Sequence, residues 1–238
     1  MIELHQFPYI RGIQMSPYCL KLEAWLRMAD IPYRIVTTLN PKKGPHGKLP
    51  FIKDGSMIIP DSQLCIDYLS GNHRIDLDEG LSPDQKAEGH AIRRMLEDAY
   101  IYTLVYARWI YEPGWRDMKA LVFKNAPPVL GDLAAWFLRR KIRSFLHQQG
   151  LMRHTESVIF DFGLKDLQML SMLLESRPYV LGDQPTTVDA TVFAFVEATY
   201  RPAIDTPLRS FVMTQPALLA YCERMRKDLF SNATEKSK

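Results

Sequence analysis

The chain has 238 residues, 47% of them apolar, enough hydrophobic side chain for one large or two small domains. Its 30 basic and 27 acidic residues leave a formal net charge of +3, a balance that argues for neither a nucleic-acid-binding nor a membrane-surface protein. Three cysteines without metal-ligand spacing, and the lack of a signal peptide, point to a reducing, cytoplasmic setting with no disulfide framework.

The first element reads as a strand over 2–7, followed by a long loop to Met15 and the motif Ser16-Pro17-Tyr18-Cys19. Proline is favoured at the first helical position, so Ser16 reads as the N-cap of a helix running to about Ala29. A helix N-terminus presents free N–H groups and partial positive charge. A hydroxyl there can donate to a thiolate, and a thiol of pKa about 8.5 falls by one or more units in such a place. As a cap alone, Ser16 contributes about 1 kcal/mol. Cys19, Leu22 and Leu26 share one helical face, which makes Cys19 a small buried hydrophobe, with a low-pKa thiol as the alternative.

A second strand is expected over 33–36. The loop Gly44-Pro45-His46-Gly47 lacks the Gly-Lys-Ser/Thr ending of a phosphate cradle. Lys48-Leu49-Pro50 then leads into strands over 49–53 and 56–59, joined by an Asp54-Gly55 hairpin signal. Proline inside a strand is costly except at its start or at an edge. A cis Leu49-Pro50 bond accounts for it and leaves the Leu49 N–H and C=O free to pair with an extended peptide ligand; a trans proline starting an edge strand is the alternative. Asp61-Ser62 precedes an apolar-periodic helix over 62–71, with Ser62 as the N-cap candidate. Free N–H groups and the Ser62 hydroxyl suit a ligand carboxylate, and Asp61 suits a ligand ammonium; plain capping accounts for the same residues.

The chain divides near 71–82, and its remainder is helical. Ser82-Pro83-Asp84-Gln85 is a capping box opening a helix to about Tyr111. Further helices are expected over 128–149, 156–176, 206–213 and 216–230. Thr186-x-x-Asp189 opens a buried helix through Ala198, in which Asp189 should pair with backbone N–H groups. The run Arg139-Arg140-Lys141-Arg143 reads as a solvated helix face beside Trp136, Phe137, Ile142 and Phe145, with a docking site for an acidic partner or lipid as the alternative. Tyr102, Tyr106 and Trp109 form one stripe, read either as core or dimer contact or as an apolar wall for a hydrophobic electrophile, with Met15 and Tyr9 on the opposite rim. The six histidines are scattered without zinc-ligand spacing, and no stretch is long and apolar enough to span a bilayer.

In this order the motifs resemble those of the cytosolic glutathione transferases, closest to the branch containing the failed-axon-connections and metaxin-like proteins. Ser16-Pro17-Tyr18-Cys19-Leu20-Lys21-Leu22-Glu23 with Ile31-Pro32-Tyr33, the run from Tyr179 to Ala190, Pro207-Leu208-Arg209 and Ala220-Tyr221-Cys222-Glu223-Arg224-Met225 carry the likeness over nearly the whole chain. The resemblance implies an α+β fold. A thioredoxin-like, glutathione-binding domain with a mixed four-stranded sheet would cover 1–75. An all-helical glutathione-transferase C-terminal domain would cover 82–230, ahead of a polar tail over 231–238. It implies a cytoplasmic homodimer that conjugates glutathione, as cosubstrate and without a metal, to a small hydrophobic electrophile in a detoxification role. Ser16 would stabilise the thiolate, with Lys48, Leu49, Pro50, Asp61 and Ser62 holding glutathione.

Departures from the pattern also carry information. Ser-Pro-Tyr-Cys looks like the Cys-Pro-Tyr-Cys site of glutaredoxins with Ser16 in place of the first Cys, so no mixed disulfide forms at that position. Gln6 stands near the place where tyrosine-type transferases put their catalytic Tyr, and Tyr9 follows Pro8 in a loop. A non-catalytic binding or scaffold protein on the same fold, and a Cys19-dependent thiol oxidoreductase, are the alternative readings.

Overall fold

A computed structural model describes residues 1–124 and 126–231. β1 (Ile2–Gln6) runs parallel to β2 (Tyr33–Thr37) and antiparallel to β3 (Phe51–Asp54), which pairs antiparallel with β4 (Met57–Pro60). The sheet order is therefore β2-β1-β3-β4. The parallel pair requires a crossover, supplied by α1 (Pro17–Met28). α1 starts where Ser16 and Pro17 direct it to, and the chain leaves it through Asp30 at φ 50°. Cys19, Leu22 and Leu26 on its expected inner face are all fully buried. So are Lys21 and Glu23 on other faces, and α8 (Thr187–Tyr200) packs against α1 as well.

α2 (Ser62–His73) closes the sheet-bearing part, and from Pro83 onward the described chain is helical. The single helix expected from Pro83 to about Tyr111 is broken. α3 (Pro83–Met95) passes through a π-helical turn, Leu96–Tyr100, into α4 (Ile101–Trp109). The wider turn brings Leu96, Glu97 and Tyr100 inward together, Glu97 reaching Lys21 and the Tyr100 hydroxyl meeting Thr199 Oγ1 at 2.7 Å. These are contacts with α1 and α8, so local sequence carries no sign of them.

α5 (Glu112–Val122) follows α4. Pro113 sits in the first turn, where a missing N–H costs nothing. Gly114 is needed for close approach to α4, because a Cβ there would fall 1.9 Å from the Ala107 carbonyl oxygen. α6 (Pro128–Gln149) and α7 (Glu156–Glu175) come next. Of the apolar neighbours expected beside its basic run, Trp136, Phe137 and Phe145 are each about half exposed, while Ile142 is half-buried against the core.

α8 is buried along its length from Val188 to Tyr200. Asp189 answers the requirement for backbone partners, accepting from Val180 N at 3.0 Å and Thr186 N at 2.8 Å. α9 (Pro207–Met213) and α10 (Pro216–Phe230) complete the helical part, and Tyr221 of α10 also donates to Asp189. Beyond Ser231, the rest of the expected polar tail lies outside the described residues.

Candidate functional site

The loop between β1 and α1 is folded back on itself. Ile10 and Ile13 exchange both backbone hydrogen bonds around Arg11 (φ 52°) and Gly12 (φ 75°), the geometry of a two-residue hairpin. Gln14 fastens its base, donating to Phe7 O at 2.8 Å and accepting from Ser16 N at 3.2 Å. Arg108 of α4 donates to Met15 O at 2.7 Å. The backbone leading into Ser16 is therefore held by two buried side chains, Gln14 and Arg108. The half-buried Ser16 hydroxyl accepts from Cys19 N at 3.4 Å, a long cap bond.

Leu49-Pro50 is cis. Cys19, Leu49 and Phe51 pack together with Phe7 against them, which sets this turn beside the first turn of α1. Among the described residues neither the N–H nor the C=O of Leu49 is hydrogen-bonded. Gly44 allows the preceding loop to pass the Lys48 carbonyl oxygen, 2.3 Å from where its Cβ would stand. The Lys48 side chain is exposed and pairs with no carboxylate among the described residues.

Asp61, not Ser62, caps α2. Its Oδ1 accepts from Gln63 N at 2.8 Å and Leu64 N at 3.4 Å, and Oδ2 is left free. Ser62 is the first helical residue, buried, with no partner for its hydroxyl among the described residues. Asp61 holds φ 67°, a conformation that costs about 1–3 kcal/mol for a residue with a side chain and is concentrated at binding sites. The two helix N-termini are tied together through Lys21, whose ammonium reaches Gln63 Oε1 at 2.8 Å and Glu97 Oε1 at 2.5 Å. The sequence offers no sign of this link beyond a lysine inside an apolar run.

Other expected residues are occupied differently. Tyr9 donates to the buried Glu23 carboxylate at 2.7 Å, and burial followed by that charge pushes its phenol far up, so it is not free to stabilise a thiolate. Glu23 also takes Gln6, Arg27 and Tyr33. Cys19 is fully buried, and desolvation pushes its thiol up to about 11 against opposing bonds from Ser16 and Phe7, the reverse of a low-pKa nucleophile. The aromatic stripe packs within the helical part: Tyr102 against Phe145, Tyr106 against Phe160 with its hydroxyl on Glu156, and Trp109 against Trp115. Of the stripe only Tyr106 is buried, while Tyr102 and Trp109 stay half-exposed; Met15 lies in the loop ahead of Ser16, its carbonyl held by Arg108. A cavity of about 350 Å³ between α1, α8 and α10 is walled by Tyr9, Gln14, Glu23, Arg27 and Phe193; Ser16, Leu49 and Asp61 are not among its walls.

The model for the glutathione S-transferase N-terminal domain matches residues 17–114, and that for the glutathione S-transferase C-terminal domain matches residues 163–225. Over 95% of its length the chain is 31% identical to the isoprene-epoxide–glutathione S-transferase of Rhodococcus sp. (strain AD45), covering 98% of that protein. The chain belongs to the glutathione S-transferase family. Other members of similar sequence are Failed axon connections of Drosophila melanogaster, 31% identical over 99% of this chain and 59% of that one, and human Metaxin-2, 24% identical over 90% and 82%. Glutathione transferase GSTFuA3 from Phanerochaete chrysosporium superposes with a TM-score of 0.65 over 96% of this chain and 97% of that one, at 15% identity, a likeness of fold. The sheet-bearing and helical parts thus have the thioredoxin-like and C-terminal domain folds of the glutathione S-transferase family. Among the described residues no cluster of His, Cys, Asp and Glu could hold a metal ion, and no helix is long and apolar enough to cross a membrane.

Proposed function

We propose that this protein binds glutathione across the N-termini of α1 and α2 and conjugates it to a small hydrophobic electrophile. The observation that carries this reading is the Ser16 hydroxyl, half-exposed at the N-terminus of α1 and held there by only a long cap bond from Cys19 N. A thiolate there gains a hydrogen bond and the helix-end charge, which lowers the thiol pKa without a covalent link to the protein. The unpaired Leu49 backbone suits the cysteinyl residue of the tripeptide. The free Oδ2 of Asp61 suits the γ-glutamyl ammonium, the N-terminus of α2 with Ser62 suits its carboxylate, and the unpaired Lys48 suits the glycine carboxylate. The thiolate then attacks an electrophilic carbon, and positioning supplies much of the rate.

Titration of glutathione into the protein, with ultraviolet difference spectra of the bound thiol, tests this directly. Binding with a thiolate band at neutral pH that Ser16→Ala abolishes is the expected result. Unchanged turnover and bound-thiol pKa in Ser16→Ala would overturn it. A second reading, a non-catalytic protein on the same fold, is favoured by one observation: Tyr106, at the centre of the α4 stripe that would wall an electrophile site, is buried against Phe160. Glutathione binding without the band, and no turnover on any electrophile class, would select that reading.

A further inference from the structure

Neither family model covers residues 115–162, and this segment carries a surface that the proposed glutathione site does not use. On α6, Val129, Leu130, Leu133, Trp136 and Phe137 fall at i, i+1, i+4, i+7 and i+8, one face of a helix. All five are exposed, Val129 by 80% and Phe137 by 57%. Farther along, the same face turns basic. Arg140, Lys141 and Arg143 are exposed and have no carboxylate partner among the described residues. Arg139 points inward instead, to Trp109 O, Ile110 O and Glu112. The one acidic residue of α6, Asp132, is paired with Lys119 at 2.9 Å. The Arg140 guanidinium lies 5.5 Å from the Trp136 ring centre, at the junction of the two zones.

The face therefore changes from apolar to basic along the helix axis rather than around it. Leu130 to Phe137 span about 10 Å at 1.5 Å per residue. Set along the membrane normal, that stretch carries its apolar side chains about 10 Å below the basic zone. A lipid leaflet has the same gradient, from acyl chains through an interface that favours Trp to phosphate. A second copy of the chain does not: antiparallel pairing of two α6 helices would set each apolar half against unpaired cations of the other. We propose that α6 docks this protein onto an anionic lipid surface, with Leu133 and Phe137 among the acyl chains and Arg140, Lys141 and Arg143 at the phosphates. The net charge of the whole chain conceals this, because the basic excess is local.

The test is sedimentation of the full chain with vesicles of phosphatidylcholine plus phosphatidylserine, and with phosphatidylcholine alone. Binding to the anionic vesicles that weakens with salt is expected. The variant Arg140→Gln/Lys141→Gln/Arg143→Gln should lose roughly fivefold per cation, about a hundredfold in all. Leu133→Gln/Phe137→Gln should abolish the binding that persists at high salt, with circular dichroism unchanged for both variants. No sedimentation with anionic vesicles at low salt, or equal binding by wild type and the charge variant, would overturn the proposal. So would a dimer that Leu133→Gln/Phe137→Gln dissociates while vesicles leave the wild type in solution, which would assign the face to a second copy.

Discussion

Arg108 Nη1 donates to the Met15 carbonyl at 2.7 Å, so a cation of the helical domain fixes the residue that precedes Ser16. Its other arm donates to the Ala198 carbonyl of α8. Burial lowers this guanidinium to about 10, still charged at neutral pH. Arg108→Met leaves two buried carbonyls unpaired but also removes the cost of burying a charge. The expected net loss is about 1–3 kcal/mol, read as a fall in Tm of about 2–4 °C per kcal/mol. Glutathione affinity should fall with it, since the loop ahead of Ser16 loses its anchor.

The Lys21–Glu97 pair makes the opposite kind of prediction. Both groups are buried, and Arg93 reaches the second Glu97 oxygen at 3.0 Å. Desolvation lowers the Lys21 pKa, with Glu97 opposing that shift. Glu97→Gln strands the lysine charge and should cost about 3–5 kcal/mol in denaturant melts. Lys21→Met with Glu97→Gln should recover most of that loss, because no buried charge then remains.

Two substitutions separate binding from stability at the site. Ser16→Ala removes a long cap bond and should cost no more than about 1 kcal/mol in stability. Turnover should fall by about 10²–10³-fold, the scale for losing one donor to a developing or resident anion. Asp61→Asn preserves the cap, since Asn serves equally at that position, but removes the charge offered to the ligand. Its melt should be unchanged and its glutathione Kd raised about tenfold or more by calorimetry.

The three cysteines are buried, and burial raises each thiol, Cys19 to about 11 and Cys65 to about 12. An aromatic disulfide reagent at neutral pH should find almost no reactive thiol in the native protein and all three in denaturant. A raised folded pKa means that the native state holds the proton more tightly than the unfolded chain. The contribution is complete below about pH 9 and is lost as pH rises through about 11. Thermal melts across that window should show Cys19→Ala losing less stability with alkali than the wild type.

Much of the architecture was legible because its signals are local. Ser16-Pro17, Ser82 to Gln85 and Thr186 to Asp189 each satisfy their own helix ends, and their boundaries lie where the residues put them. The α3–α4 break and the cap on α2 were not legible in the same way. The first depends on Lys21 and Thr199 lying across the fold, and the second on Asp61 adopting φ 67°.

What the sequence determined by itself was the set of short-range choices: where helices begin, which faces are apolar, and which hydroxyls and carboxylates stand at helix N-termini. Only the tertiary structure decided which of those groups remained free. Tyr9 is tied to Glu23, Cys19 is sealed against Leu49 and Phe51, and Tyr106 is packed on Phe160, whereas Ser16 stays half-exposed and one Asp61 oxygen has no hydrogen-bond partner among the described residues. The physical reason is that capping and periodicity act within a few residues, while burial and hydrogen-bond satisfaction depend on partners brought from any distance along the chain.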